Sequence, residues 1–327
     1  VARGGQGRVE EGNRAATRAL ALARRAGDLY GVGNAINMLT FHEPDIAKCM
    51  RLLKEALAAF EAAGYAERQG VVTHNLGNQY HGLGLYRRAR RLFLQADDAY
   101  RRAGKAGSGL ATTLWMLGNA EHELGNAAAA RANFVEAVRC WETSRAANYA
   151  AYRPVVYGQL ALCEGDPQSA VTLYEEGVRI LRDSDQVAFA TNALCGLSEA
   201  YLAAGRADAA LTAAERATSL HRAHDLAEIS GIDTRELWWQ YHRALQASGR
   251  TAAAQRALAV AYRFLVERIR KLTDEGLRRN YLNKVDVHRK IVEATLAARR
   301  RPAGSRHRPA HLAVASSLQE PFERLVD

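Results

Sequence analysis

Residues 76–89 read LGNQYHGLGLYRRA, and residues 117–130 read LGNAEHELGNAAAA. Both open on Leu-Gly-Asn and return to Leu-Gly seven residues later, a match too long for chance. Weaker copies follow as YGQLALCEGDPQSA at 157–170, LSEAYLAAGRADAA at 197–210 and YHRALQASGRTAAA at 241–254, at successive offsets of 41, 40, 40 and 44 residues. Self-similarity at a fixed period of this size marks a repeat architecture. Each copy has an amphipathic stretch, a glycine (Gly84, Gly125, Gly165, Gly205, Gly249), then a second stretch with an alanine five residues on (Ala89, Ala130, Ala170, Ala210, Ala254). A helix ends readily on a left-handed glycine, and a small side chain at a crossing lets two helix axes approach. The pattern is a helix-turn-helix hairpin in tandem. No hairpin can bury its apolar face alone, so stacking must supply the core.

Composition agrees. Of the 327 residues 48% are hydrophobic, Ala and Leu dominate, and proline totals 6, a mixture rich in strong helix formers. No apolar run approaches the roughly 18 residues of a membrane span. The N-terminus, VARGGQGRVEEGNRAA, lacks the layout of a secretory signal. It starts without Met inside a helical pattern, so a piece of a longer, cytoplasmic protein is expected. Cys49, Cys140, Cys163 and Cys195 are widely spaced with no CxxC pair, which predicts buried, reduced thiols.

The glycines of 76–89 invite comparison with a phosphate-binding loop, but neither G-x-x-x-x-G-K-S/T nor G-x-G-x-x-G is present, and no β-rich run precedes them. His221 and His224 form an HxxH without a third ligand a turn away. Neither HExxH nor GxSxG occurs. The expectation is no enzyme activity in these residues, no cofactor and no metal.

The best copy resembles the tetratricopeptide repeat family through Leu76, Gly77, Tyr80, Gly84, Tyr86 and Ala89, with Phe93 and Ala96 continuing on the second helix. Other copies depart from it: Glu121 stands where Tyr80 does, and Ser198 and His242 replace the first-helix glycine. Upstream, NMLTFHEPDIAKCMRLLKEALAAF from Asn37 keeps the offset, and EEGNRAATRALALARRAGD reads as the second helix of a truncated repeat. The resemblance implies an all-α, right-handed superhelical solenoid of about six hairpins. Its period exceeds the family's usual ~34 residues, and the excess is expected in longer second helices. Arrays of this length resemble those of bacterial multidomain signalling and transcription regulators, including ATPase-, nucleotide-cyclase- and GAF-linked proteins. Residues 1–265 are expected to form the array, 266–299 its C-terminal helical cap, and 300–327 a basic linker and the start of a following domain.

In the resembled family, the residue after the first-helix glycine and those a turn to either side face a concave groove. The matching positions here are Asn34, Met38 and Phe41; His74, Asn78 and His81; Trp115, Asn119 and His122; Val155, Gln159 and Leu162; Cys195, Glu199 and Leu202; Trp239, Arg243 and Gln246. Asn78, Asn119 and Gln159 make a ladder of amides able to bond an extended backbone. Trp115 and Trp239 stand either as anchors for a partner or as packing between hairpins. No Lys or Arg accompanies the asparagines to clamp a terminal carboxylate.

Charge is concentrated at one end. Residues 263–308 hold 14 Lys or Arg and 5 Asp or Glu, a net of +9 out of the chain's +10. Without stacking aromatics or a recognition helix, this reads as a solvated linker, and nucleic acid is an unlikely partner. The expected function is a non-catalytic protein-protein interaction and regulatory scaffold. Its partner is a protein or peptide in the groove or another domain of the same chain. The alternatives are a sensor segment of a nucleotide cyclase or kinase, or a DNA-binding regulator.

Overall fold

The computed structural model describes residues 2–41, 43–105, 107–144, 152–182, 186–223 and 233–300, with side chains from Glu10 to Arg299. Those residues form fifteen α-helices and, among the described residues, no strand. A long α1 (Ala2–Ala26) packs on the first of six hairpins: α2 (Leu29–Thr40) with α3 (Ile46–Ala62), α4 (Ala66–Gly82) with α5 (Tyr86–Arg102), α6 (Ser108–Glu123) with α7 (Ala127–Thr143), α8 (Tyr152–Cys163) with α9 (Pro167–Leu181), α10 (Val187–Ala203) with α11 (Ala207–Ala223), and α12 (Thr234–Ala247) with α13 (Thr251–Arg270). Two further helices, α14 (Glu275–Asn283) and α15 (Asp286–Arg300), close the chain's described part. Each second helix also packs on the first helix of the next hairpin, so the fold is an all-α solenoid. The basic linker read at 300–327 and the entry to a following domain lie, from residue 301 on, outside the described residues.

Turn and crossing can be followed in the opening stretch. Gly84 has φ +68°; its amide donates to His81 O at 2.9 Å and the Leu85 amide to Tyr80 O at 3.0 Å, the paired bonds that finish a helix on a left-handed residue. Gly77 has a different task. A Cβ there would lie 2.6 Å from Phe93 Cε1, so the missing side chain is the space the Phe93 ring fills. The same exchange of glycine for ring recurs as Gly33 with Phe60, Gly118 with Phe134 and Gly158 with Tyr174.

Where the sequence abandons that glycine, the partner shrinks and a hydrogen bond takes over. Ser198 faces the helix that carries Ala214 at the ring's register position, and its hydroxyl donates to Ala210 O at 3.0 Å. His242 Nδ1 bonds Ala254 O at 2.8 Å, with Leu258 at that register position. Both acceptors are the carbonyls of the repeat's own alanine. The crossing is thus kept by a buried polar contact instead of by a void, with the bond satisfying a side chain that would otherwise be costly to bury. Glu121, the substitute for tyrosine, is also buried and satisfied: Arg90 Nε donates to it at 2.6 Å and Asn126 Nδ2 at 2.7 Å.

The second helix is the longer one in several hairpins, with 12 and 17 residues in α2 and α3, 16 and 17 in α6 and α7, and 14 and 20 in α12 and α13, whereas α4 and α5, like α10 and α11, are 17 each.

Candidate functional site

The first helices of the hairpins bring the candidate residues into bonded groups that span neighbouring repeats. In the first, Thr113 Oγ1 donates to Gly109 O at 2.8 Å and so receives the Nδ1 hydrogen of His74 at 3.1 Å. That leaves His74 Nε2 to accept from Asn78 Nδ2 at 3.0 Å. Burial holds the His74 ring neutral, with its pKa lowered to about 4. In the second group, Gln159 Nε2 donates to Asn119 Oδ1 at 2.6 Å, and Trp115 Nε1 donates to Gln159 Oε1 at 3.0 Å. Trp115 also stacks edge-on with Trp141 and Tyr152, so it is committed to inter-hairpin packing along with its hydrogen bond. In the third, Arg243 lies 3.5 Å from Glu199 and donates to Gln240 Oε1 at 3.0 Å.

The amide ladder therefore joins repeats to one another. Two of its atoms stand apart: Asn78 Oδ1 and His81 Nε2 are buried and have no hydrogen-bond partner in the described structure. Burial lowers the His81 pKa to about 4 as well, and its ring meets Tyr86 edge-on at 5.2 Å. A buried polar atom without a partner is costly, which makes this the place along the ladder where an incoming donor gains most.

Other candidates lie apart from these groups. Asn34 bonds the Tyr30 hydroxyl, His122 is exposed, and Trp239 stacks on His242 at 5.1 Å. Met38 and Phe41 expose 55% and 58% of their surface on and just after α2, large for apolar side chains. Val155 is buried in the core, while Leu162, Cys195 and Leu202 pack partly against it and Gln246 is exposed. Cys49 is buried, and Cys140, Cys163 and Cys195 are partly so. Burial pushes the Cys49 and Cys163 thiols up to about 11 and raises Cys195 further, so these remain thiols at neutral pH. His221 accepts from Trp238 Nε1 at 3.1 Å inside the core; its HxxH companion His224 lies outside the described residues.

Acidic side chains that sequence reasoning did not join also act on one another's charge here. Glu236 is exposed at the start of α12; desolvation, with the charges of Asp233, Glu199 and Glu123, raises its pKa to about 8. Glu123 bonds the Tyr86 hydroxyl and has Asp286 and Lys290 as charged neighbours. Asp233 caps α12, accepting from the Arg235 amide at 2.8 Å. Desolvation would raise its carboxyl, but Arg235 and His288 outweigh that and hold it well below the usual range. Four hairpins and the last helix supply these groups, so nothing local in the sequence announces them. Among the described residues no group of three or more potential metal ligands converges, and no helix is long and apolar enough to cross a membrane.

Comparison with known proteins fits this architecture. The tetratricopeptide repeat family profile matches residues 68–143. No curated protein matches the sequence. Among solved structures, the Rap protein complexed with competence and sporulation factor superposes with a TM-score of 0.59 at 15% identity, over 85% of this chain and 77% of that one. NprR in complex with its cognate peptide NprX gives 0.56 at 11% identity, over 95% and 98%. BtubC from P. vanneervenii gives 0.53 at 19% identity, over 69% and 96%. At these identities the likeness is one of fold. The family profile thus covers residues 68–143, and over the rest of the described chain the hairpins and the solved folds agree on an all-α solenoid of the same kind.

Proposed function

We propose that this array is a non-catalytic protein-interaction module whose first-helix face takes an extended peptide segment of a protein partner. The observation that carries the reading is the pair of buried, unpartnered atoms, Asn78 Oδ1 and His81 Nε2, beside an otherwise self-bonded ladder. A peptide backbone offers donors and acceptors at regular spacing, which suits such a row of amides. Of the proteins that share the fold, Rap is solved with competence and sporulation factor and NprR with its cognate peptide NprX. Exposed Met38 and Phe41 extend the surface with apolar contact at its first repeat. We further infer a regulatory role within a larger bacterial signalling or transcription-control protein in the cytoplasm, where catalysis or DNA binding belongs to other domains.

Capture of partners by the chain and by an Asn78→Ala, His81→Ala variant, which leaves the Trp115 packing and the Gln159–Asn119 bond in place, tests the groove. The variant is expected to keep its helicity and lose the partners held through this face. Retention of the same partners by the folded variant sinks the groove as the binding surface.

A further inference from the structure

A solenoid built only from neighbour contacts leaves its two ends apart. Here the ends meet. Arg268 Nη1, in the last turn of α13, donates to Pro44 O at 3.1 Å, and Thr273 Oγ1, ahead of α14, donates to Asp45 Oδ2 at 2.8 Å. The turn between α14 and α15 sets Lys284 against Gly84, where a Cβ would lie 2.5 Å from Lys284 Cβ and 2.7 Å from its carbonyl carbon. One buried apolar core joins Ile46, Leu76 and Leu83 to Leu272, Tyr281 and Leu282. Closure is a firm part of the fold, and it decides which charges become neighbours.

The free charges along this seam are of one sign. Arg51 acts on the Asp45 carboxylate, and Arg270 and Lys271 lie between Arg268 and Thr273, the two residues that touch Pro44 and Asp45. At the turn of the next repeat Lys284 meets Gly84, and Arg87 and Arg91 follow that glycine, four residues apart on α5. All six side chains belong to exposed residues, and among the described residues none is in an ion pair. The acids that stand between them are already engaged. Glu43 holds Lys48 at 2.7 Å, Asp45 caps α3 and takes Thr273, Asp274 caps α14, Glu275 lies 3.7 Å from Arg279, and Asp286 pairs with Arg289 and Lys290.

We propose that this seam is a second docking surface, using none of the groove residues, and that its partner is an acidic segment of a protein. Separated carboxylates can each meet a free cation, with the two-pronged fit that arginine favours, and avoid the engaged acids. A DNA duplex carries a charge about every 1.7 Å of its axis and would run over those acids as well. No stacking platform compensates, since Arg88 lies over the Tyr80 ring and the Tyr86 hydroxyl is bonded to Glu123. A membrane surface calls for apolar anchors, and no large apolar side chain is exposed at 43–54, 84–91 or 268–290.

Binding of a labelled peptide of alternating Glu and Ser to the full chain, read by fluorescence anisotropy at low salt, tests the seam. Replacing one cation from each of its parts, Arg51→Gln, Arg270→Gln and Lys284→Gln, is expected to weaken binding about tenfold, the loss that follows when three exposed charge contacts go together. A variant with the same change of charge, Arg139→Gln, Arg216→Gln and Arg256→Gln, removes exposed, unpaired cations of α7, α11 and α13 and should leave binding unchanged. No binding by the parent, equal losses in both variants, or full binding by the seam variant overturns the proposal; in the last two cases bulk charge or residues 301–327 carry the peptide. Tighter binding of a short DNA duplex or of phosphatidylserine vesicles, with the same dependence on the seam, overturns the choice of partner and assigns the surface to that polyanion. Should a variant lose helicity, a photoactivatable group on the peptide decides on the unaltered chain: label must fall on 268–290 and also on 44–54 or 84–94, and label confined to other regions overturns the seam.

Discussion

Gly84→Ala and Gly125→Ala form a matched pair. Both glycines end a first helix in the left-handed region, at φ +68° and +78°. Alanine in that conformation costs roughly 1–2 kcal/mol, and the smaller entropy of its unfolded chain is a further term common to both sites. The sites differ in what a Cβ meets: nothing within 4 Å at Gly125, but the Cβ and carbonyl carbon of Lys284 at 2.5 and 2.7 Å at Gly84. A backbone atom cannot rotate out of the way, so the α14–α15 turn must move or strain, and overpacking of this kind adds about 1–3 kcal/mol. Urea unfolding followed by circular dichroism is expected to place Gly125→Ala about 1 kcal/mol below the parent and Gly84→Ala about 2–4 kcal/mol below it. Tryptophan fluorescence should show the added loss reaching repeat 6, where Trp238 and Trp239 lie. Equal losses, within the ~0.5 kcal/mol scatter of independent sites, would refute the packing of Lys284 on Gly84 and with it the closed turn.

Acid should weaken the fold through His74 and His81: their folded pKa values sit near 4 against an ordinary 6.5. The unfolded chain then binds more protons, and stability present above pH 6.5 is lost as pH falls toward 4, by up to about 1.4 kcal/mol per pH unit for each ring. Urea midpoints across that range should fall less in a His74→Asn, His81→Asn variant, and an equal fall in both chains speaks against buried neutral rings. Glu236 runs the other way, since its raised pKa near 8 means stability is lost as pH rises from about 4.5 to 8; Glu236→Gln should stabilise the chain at pH 8 and leave it unchanged near pH 4, as thermal melts will show. Ser198→Ala leaves Ala210 O without its hydroxyl donor and should cost about 1 kcal/mol, measured as a shift in unfolding free energy; no loss would mean the serine merely fills space.

The repeat itself was legible because its causes are local. Gly84 had to be a turn and Ala89 a crossing point, since only those residue types allow the conformation and the approach; the void at Gly77 for Phe93 follows from the same grammar. The irregular repeats were legible only in part. Ser198 and His242 read as departures, and it took three dimensions to show each bonding the carbonyl of the repeat's alanine. The amide ladder was visible as Asn78, Asn119 and Gln159 at one register, but not that Gln159 already bonds Asn119 and Trp115 while Asn78 Oδ1 and the neighbouring His81 Nε2 are left without partners.

Sequence by itself determined the hairpin, its period and the stacking of one hairpin on the next, because turn chemistry and amphipathic spacing act over a few residues. Tertiary structure alone decided what lies between distant parts of the chain: Thr273 on Asp45, Lys284 on Gly84, and the charges of Glu123 and Glu199 acting on Glu236. Small rotations between successive repeats add up to fix which surfaces meet after a full turn, and no single residue encodes that sum.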